Sequence, residues 1–250
     1  MKTEERMNTA MQTNDFPSLR KVLDISAYLV IGPENTKGRD VATIVKEALA
    51  GGITCVQLRA KHSDASEIVS LARQIADVIE AAGKSSTVAF VIDDRVDVAW
   101  ECRCMGIKVD GVHVGQTDMD VRYCRQLLGE NAIIGLSAAT NKLVDLVNEL
   151  PEGIIDYVGA GPVHPSVSKP DCGVGDDGKL HILAVQGIST LADISRYPVV
   201  AGGGVSVADV PELARTKAAG WFVISAIAGA EDPQKATEAL VKAWLSVREK

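Results

Sequence analysis

The sequence predicts an α/β fold, a single (β/α)8 barrel of the TIM type preceded by a short N-terminal extension. Three observations predict it. The apolar residues are mostly Val, Ile, Leu and Ala in short runs, with aromatics only 4% of the 250 residues, the pattern of strands buried on both faces. From residue 26 onward these runs alternate with segments of helical spacing. Polar and charged residues collect just beyond the C-terminal ends of the runs, where a barrel builds its active face.

The elements follow in order. Residues 26–31 (SAYLVI) read as a strand, and 41–50 as a helix stopped by Gly51-Gly52. Residues 54–58 (TCVQL) form a strand. Ser63 or Asp64 caps a helix reaching Ala82, with Ile68, Leu71, Ile75, Val78 and Ile79 as its buried stripe. Residues 88–92 (VAFVI) are a strand, followed by a short helix over 96–102. A short strand at 111–114 precedes a helix over 120–128 that Gly129 ends. A strand at 133–137 precedes a helix over 141–150, ended by Pro151. Residues 157–160 are a strand, and 161–178 a long Gly/Pro/Ser loop. A helix over 180–195 is broken at Gly187. Then come a strand at 198–201, a helix at 207–217, a strand at 221–224 and a closing helix at 233–247. Eight strands alternating with about eight helices fit a closed barrel or a doubly wound open sheet. The count of eight favours the barrel, and the lack of a composition break favours one domain over 26–250, with 1–25 as the extension.

Composition narrows the function. The net charge of −7 argues against a nucleic-acid-binding surface. No apolar stretch reaches membrane-spanning length, and the first fifteen residues carry no apolar signal core. Cys55, Cys102, Cys104, Cys124 and Cys172 are odd in number and do not space as a disulfide framework, so a reducing, cytoplasmic setting is expected. The Cys102/Cys104 pair lacks a second pair that would complete a metal site.

The strand ends carry the chemistry. Period-two alternation puts Gln57, Arg59 and Lys61 on one side of the second strand, an amide and two cations suited to a diphosphate. Asp93, Asp94 and Asp118 end the third strand and follow the fourth, hard carboxylates suited to Mg²⁺ with substrate phosphates. For Asp93 a salt bridge to Arg95 or a helix cap before Val96 is the plainer alternative. Gly202-Gly203-Gly204 after the seventh strand leave backbone N–H groups open to an anion. His113, in a short strand, reads as a hydrogen-bonded core residue rather than a base.

Seven segments resemble, in order, the motifs of the thiamine-phosphate synthase family: VQLRAK (56–61), VIDDRVDVA (91–99), DGVHVGQTD (110–118), IIGLSA (133–138), YVGAGPVHPSVSK (157–169), VVAGGGV (199–205) and VISAIAGAEDP (223–233). The resemblance implies a (β/α)8 barrel that joins hydroxymethylpyrimidine diphosphate to a thiazole phosphate, releases pyrophosphate and uses Mg²⁺. It implies that Gln57, Arg59 and Lys61 hold the pyrimidine diphosphate with Asp93 beside them, and that Asp94 and Asp118 bind Mg²⁺. Ser137 contacts the pyrimidine and Lys169 its diphosphate. Ser166, Val167, Ser168, Gly203, Gly204, Ile224 and Ser225 hold the thiazole phosphate. Arg59, Lys61, Ser137 and Lys169 form the catalytic set. The implied partners are these small phosphorylated substrates, and homo-oligomerisation is left open. The chain departs from the family pattern in having Asp93 for Asn, Ala60 for Glu and Ser166-Val167-Ser168 for Thr-x-Thr. His164 stands where an aromatic is common, and the loop over 170–178 ends Gly/Asp-rich. Two alternatives remain: a tautomerase-like isomerase, which needs a His past the fifth strand where this chain has Ser137-Ala138-Ala139-Thr140, and a non-catalytic barrel that binds phosphorylated ligands.

Overall fold

The computed structural model describes residues 17–166, 173 and 181–248. Eight parallel strands close in sequence order: β1 (Ala27–Ile31), β2 (Cys55–Leu58), β3 (Ala89–Asp93), β4 (Gly111–Val114), β5 (Ile133–Ser137), β6 (Tyr157–Ala160), β7 (Val199–Ala201) and β8 (Gly220–Val223). β8 pairs back onto β1, with Tyr28 opposite Phe222. The helices between them are α1 (Val41–Ala50), α2 (Ala65–Ala81), α3 (Val96–Cys104), α4 (Val121–Leu128), α5 (Asn141–Asn148), α6 (Ala184–Ile194), α7 (Val210–Arg215), α8 (Ser225–Ala228) and α9 (Pro233–Arg248). The barrel of the sequence reading is therefore the architecture found, and the open sheet is excluded.

The pleat sorts each strand into two shells. Leu29, Ile31, Val56, Leu58, Phe90 and Ile92 point outward and pack with the helix stripes. Tyr28, Val30, Cys55, Ala89, Val91, Ile133, Tyr157 and Val200 point inward and fill the barrel. Leu19 and Ile25 join this inner cluster from the segment before β1, with Leu23 packed against it. Residues 19–25, assigned from sequence to the extension, thus pack onto the end of the barrel where the strands begin.

That end is braced by two buried ion pairs. Asp110, just before β4, accepts from Lys108 and, at 2.7 Å, from the Phe90 N–H. Asp156, just before β6, accepts from Arg125 at 2.9 Å, Arg20 at 2.6 Å and the Ile134 N–H at 2.8 Å. Burial in this layer pulls the Arg125 and Arg103 guanidinium pKa values below their ordinary level.

Several boundaries differ from expectation for local reasons. Asp64 caps α2 in a reciprocal capping box with Glu67. α6 runs unbroken through Gly187, whose N–H donates to Leu183 O at 2.9 Å. α7 starts at Val210 rather than 207, because Asp209 accepts from Ser206 N at 2.8 Å and Ser206 Oγ at 2.7 Å and ties 206–209 into a turn. The sequence reading did not anticipate the single turn α8. Cys102 is buried and Cys104 exposed, so the pair does not face one site. No described helix is long and apolar enough to cross a membrane.

Candidate active site

The C-terminal strand ends bring most of the expected residues together. Gln57 is 5% exposed and projects inward from β2. Its Nε2 donates to Asp93 Oδ1 at the end of β3. Asp93 Oδ2 lies 3.5 Å from Arg59 Nε and 3.6 Å from Lys61 Nζ, and Lys61 also pairs with Asp94. The two cations and the amide of β2 therefore converge on the β3 carboxylates, as the period-two spacing requires. Asp93 does not pair with Arg95, whose guanidinium holds Asp97 at 2.6 Å, and α3 has no side-chain cap. The plainer alternative for Asp93 is thereby corrected. Arg59 Nε is buried and, beyond its 3.5 Å ion pair with Asp93, has no hydrogen-bond partner among the described residues.

Asp94 stands at φ 58, the left-handed region that a non-glycine residue occupies only at some cost. Its N–H donates to His113 O at 2.8 Å and its carbonyl accepts from Val96 N at 3.0 Å, which holds the turn. Its carboxyl meets that of Asp118, which the Gly115 N–H fixes at 2.7 Å. Burial raises the Asp94 carboxyl above its ordinary value, and Asp118 adds to the rise while Lys61 opposes it. Two carboxylates pressed together, one of them paired with a lysine, fit a divalent cation. Among the described residues no cluster of three or more His, Cys, Asp or Glu is arranged to hold an ion. The fit is therefore to a metal that takes two carboxylates and completes its shell from water and substrate.

Ser137, at the end of β5, lies across the barrel. Its hydroxyl is 3.0 Å from His113 Nε2, and its carbonyl accepts from Gln116 Nε2 at 2.5 Å. His113 Nδ1 is 3.1 Å from Tyr157 OH, which is 2.7 Å from Tyr28 OH, and Tyr28 in turn donates to Gln57 Oε1 at 3.0 Å. Tyr28, His113 and Tyr157 line the site floor and were not singled out from sequence as site residues. The available signal was the inward parity of polar aromatics in otherwise aliphatic strands.

The glycine loop after β7 sits beside the β6 loop. Val163 N and His164 N donate to Gly203 O at 3.0 and 2.9 Å. Gly203 and Gly204 have φ of 80 and 72, and a Cβ on Gly204 would lie 2.8 Å from His164 Cβ. The bare backbone is thus required here by both conformation and space. Ile224 and Ser225 start α8 nearby in sequence order after β8, Ser225 exposed. Ser166 is half-buried at the end of the described β6 loop, and Val167, Ser168 and Lys169 lie outside the described residues. His164 pairs with Asp209 at 2.8 Å. Burial pushes the Asp209 carboxyl up, but hydrogen bonds from His164 and Ser206 outweigh it and hold the group below its ordinary value. A depressed carboxyl contributes stability above its unfolded pKa and loses it as pH falls through the folded one. The melting-temperature gap between wild type and Asp209→Ala is expected to close on acidification, as differential scanning calorimetry across pH will read.

A sequence model described as thiamine monophosphate synthase matches residues 27–227. The chain belongs to this family. The thiamine-phosphate synthase of Corynebacterium efficiens is 39% identical over 86% of this chain and 93% of the relative. That of Corynebacterium jeikeium is 39% identical over 91% and 98%. The solved thiamine phosphate pyrophosphorylase of Pyrococcus furiosus superposes with a TM-score of 0.72 at 31% identity, covering 92% of this chain and 98% of that one. A 3-hexulose-6-phosphate synthase superposes with a TM-score of 0.57 at 16% identity, covering 87% of this chain and 99% of that one, and shows the shared fold alone.

Proposed function

We propose that this chain is a Mg²⁺-dependent thiamine-phosphate synthase, a transferase that condenses hydroxymethylpyrimidine diphosphate with hydroxyethylthiazole phosphate. The observation that carries this reading is the convergence of Arg59, Lys61 and Gln57 on Asp93 and Asp94 at one barrel mouth, in a chain of this family. Arg59, Lys61 and Lys169, the last outside the described residues, receive the diphosphate. Asp94 and Asp118 hold Mg²⁺, which when bound supplies positive charge to the diphosphate oxygens.

The reaction is a substitution at the pyrimidine methylene carbon. The C–O bond to the diphosphate breaks, its electron pair leaves with pyrophosphate, and the thiazole nitrogen lone pair forms the new C–N bond. The amino-pyrimidine ring delocalises the positive charge that develops before attack. The work of the protein is positional and electrostatic. Arg59 and Lys61 stabilise the departing anion, and Ser137 orients the ring. Ser166, Val167, Ser168, Gly203, Gly204, Ile224 and Ser225 place the thiazole phosphate so that its ring nitrogen faces the carbon from the other side. No side-chain nucleophile is needed. The isomerase alternative is disfavoured because the segment past β5, Ser137-Ala138-Ala139-Thr140, carries no His.

The glycine loop gives a selective test. Gly204→Ala forces a Cβ into left-handed backbone against His164, and loss of an N–H to phosphate bond costs about 1.5–3 kcal/mol. The KM for the thiazole phosphate is expected to rise about 10-fold or more, with the affinity for the pyrimidine diphosphate little changed. Isothermal titration of each substrate beside a coupling assay separates binding from turnover. Binding of both substrates without product would leave the non-catalytic barrel as the reading.

A further inference from the structure

Five hydrogen bonds cross the barrel interior from Asp93 to Ser137, and their protons can be counted. Asp93 sits between Arg59 and Lys61, the surroundings of a carboxylate, which only accepts. Gln57 must therefore turn its NH₂ toward Asp93 and its carbonyl toward Tyr28. Tyr28 has one proton, and it goes to that carbonyl, so Tyr28 oxygen accepts from Tyr157 across 2.7 Å. Tyr157 has then spent its own proton. The 3.1 Å contact from His113 Nδ1 to Tyr157 oxygen is a hydrogen bond only if Nδ1 carries the hydrogen. A neutral imidazole protonated at Nδ1 is bare at Nε2, so Ser137 donates its hydroxyl proton across 3.0 Å. Burial raises both tyrosines well above their ordinary values, so both phenols keep the protons this count requires.

We propose that Asp93 is a positioning residue for Ser137: through Gln57, Tyr28, Tyr157 and His113 it fixes the direction of the whole chain of bonds. With its proton committed to His113, the Ser137 hydroxyl presents only lone pairs to the site. It accepts an N–H, such as the exocyclic amine of an amino-pyrimidine. This last step rests on the proposed assignment of Ser137 to that substrate. Replacing Asp93 by an amide, as in Asp93→Asn, removes the direction. The amide can offer its own NH₂, Gln57 can flip, and every donor along the chain can reverse until His113 carries its proton on Nε2 and Ser137 accepts. Both directions are closed, so the network keeps its bonds and changes only its polarity.

The test is the tautomer of His113 in the ligand-free protein. Two-bond ¹⁵N–¹H correlation spectra distinguish Nδ1–H from Nε2–H imidazoles. The chain has only four histidines, and the spectrum of His113→Asn identifies the resonance. Wild type is expected to show the Nδ1–H form. Asp93→Asn is expected to move population into the Nε2–H form. Tyr28→Phe, nearly isosteric, cuts the chain in the middle, frees the Tyr157 proton for His113 and is expected to do the same. An Nε2–H or doubly protonated His113 in wild type overturns the proposal, as does an unchanged tautomer in Asp93→Asn. Should Asp93→Asn fail to fold, an unchanged tautomer in Tyr28→Phe overturns it instead. The spectra need no substrate, so they stand apart from the functional reading. If the tautomers behave as expected but titrated amino-pyrimidine diphosphate does not bind wild type, the functional reading fails and the positioning network stands.

Discussion

Asp94→Asn is expected to lower kcat/KM for pyrophosphate release by about 10²–10³-fold, the usual loss when one preorganised electrostatic contact to a developing charge is removed. The reason lies in the free protein. Asp94 is held in left-handed backbone against Asp118, with Lys61 only partly offsetting the crowding of the two carboxyls, an arrangement that costs folding free energy. Burial and Asp118 raise its carboxyl, so the folded state holds that proton more tightly than the unfolded chain does. Stability therefore falls as pH rises and the group ionises. Asn removes the charge and keeps the shape. The variant is expected to unfold at the same or higher urea concentration than wild type in the absence of Mg²⁺, while losing activity and the stabilisation that added Mg²⁺ brings. Wild-type turnover at limiting Mg²⁺ in the variant would remove Asp94 from the metal site.

Asp156→Ala is expected to cost about 3–5 kcal/mol of stability, because it leaves a buried cation without its counter-charge. Arg125 is 10% exposed at its side chain, as is Asp156. The loss also strands the Ile134 N–H and removes the carboxylate partner of Arg20, which keeps its bonds to the Glu130 and Gly153 carbonyls. Asp156→Asn keeps an acceptor for Ile134 N and is expected to fall between the two. Urea unfolding measures both. The position lies at the opposite end of the strands from the site, so kcat of the folded fraction is expected to hold, the separation of stability and activity faces that this barrel provides.

The same separation explains what could be read from sequence. Gln57, Arg59 and Lys61 were legible because period two is a local property, and the structure brings Arg59 and Lys61 to within 3.6 Å of Asp93. Asp93 and Asp94 were legible as polar residues ending an aliphatic run. The Tyr28–Tyr157 contact was not, because the partners are 129 residues apart and meet only when the barrel closes. The buried pairs of Asp110 and Asp156 were hidden for a related reason. An acid just before a strand reads as a turn residue until the neighbouring strand offers its N–H. The late start of α7 came from one side chain, Asp209, competing for the backbone of Ser206. Local chemistry of that kind leaves no periodic trace.

This barrel mouth couples two phosphorylated heterocycles. The most direct measurement mixes purified protein with both substrates and Mg²⁺, and follows pyrophosphate release and thiamine phosphate formation together. Equimolar products are expected that require both substrates and the metal, and that fall in parallel when Arg59 or Lys61 is replaced by Met. Tight binding of both substrates with no thiamine phosphate formed would contradict it.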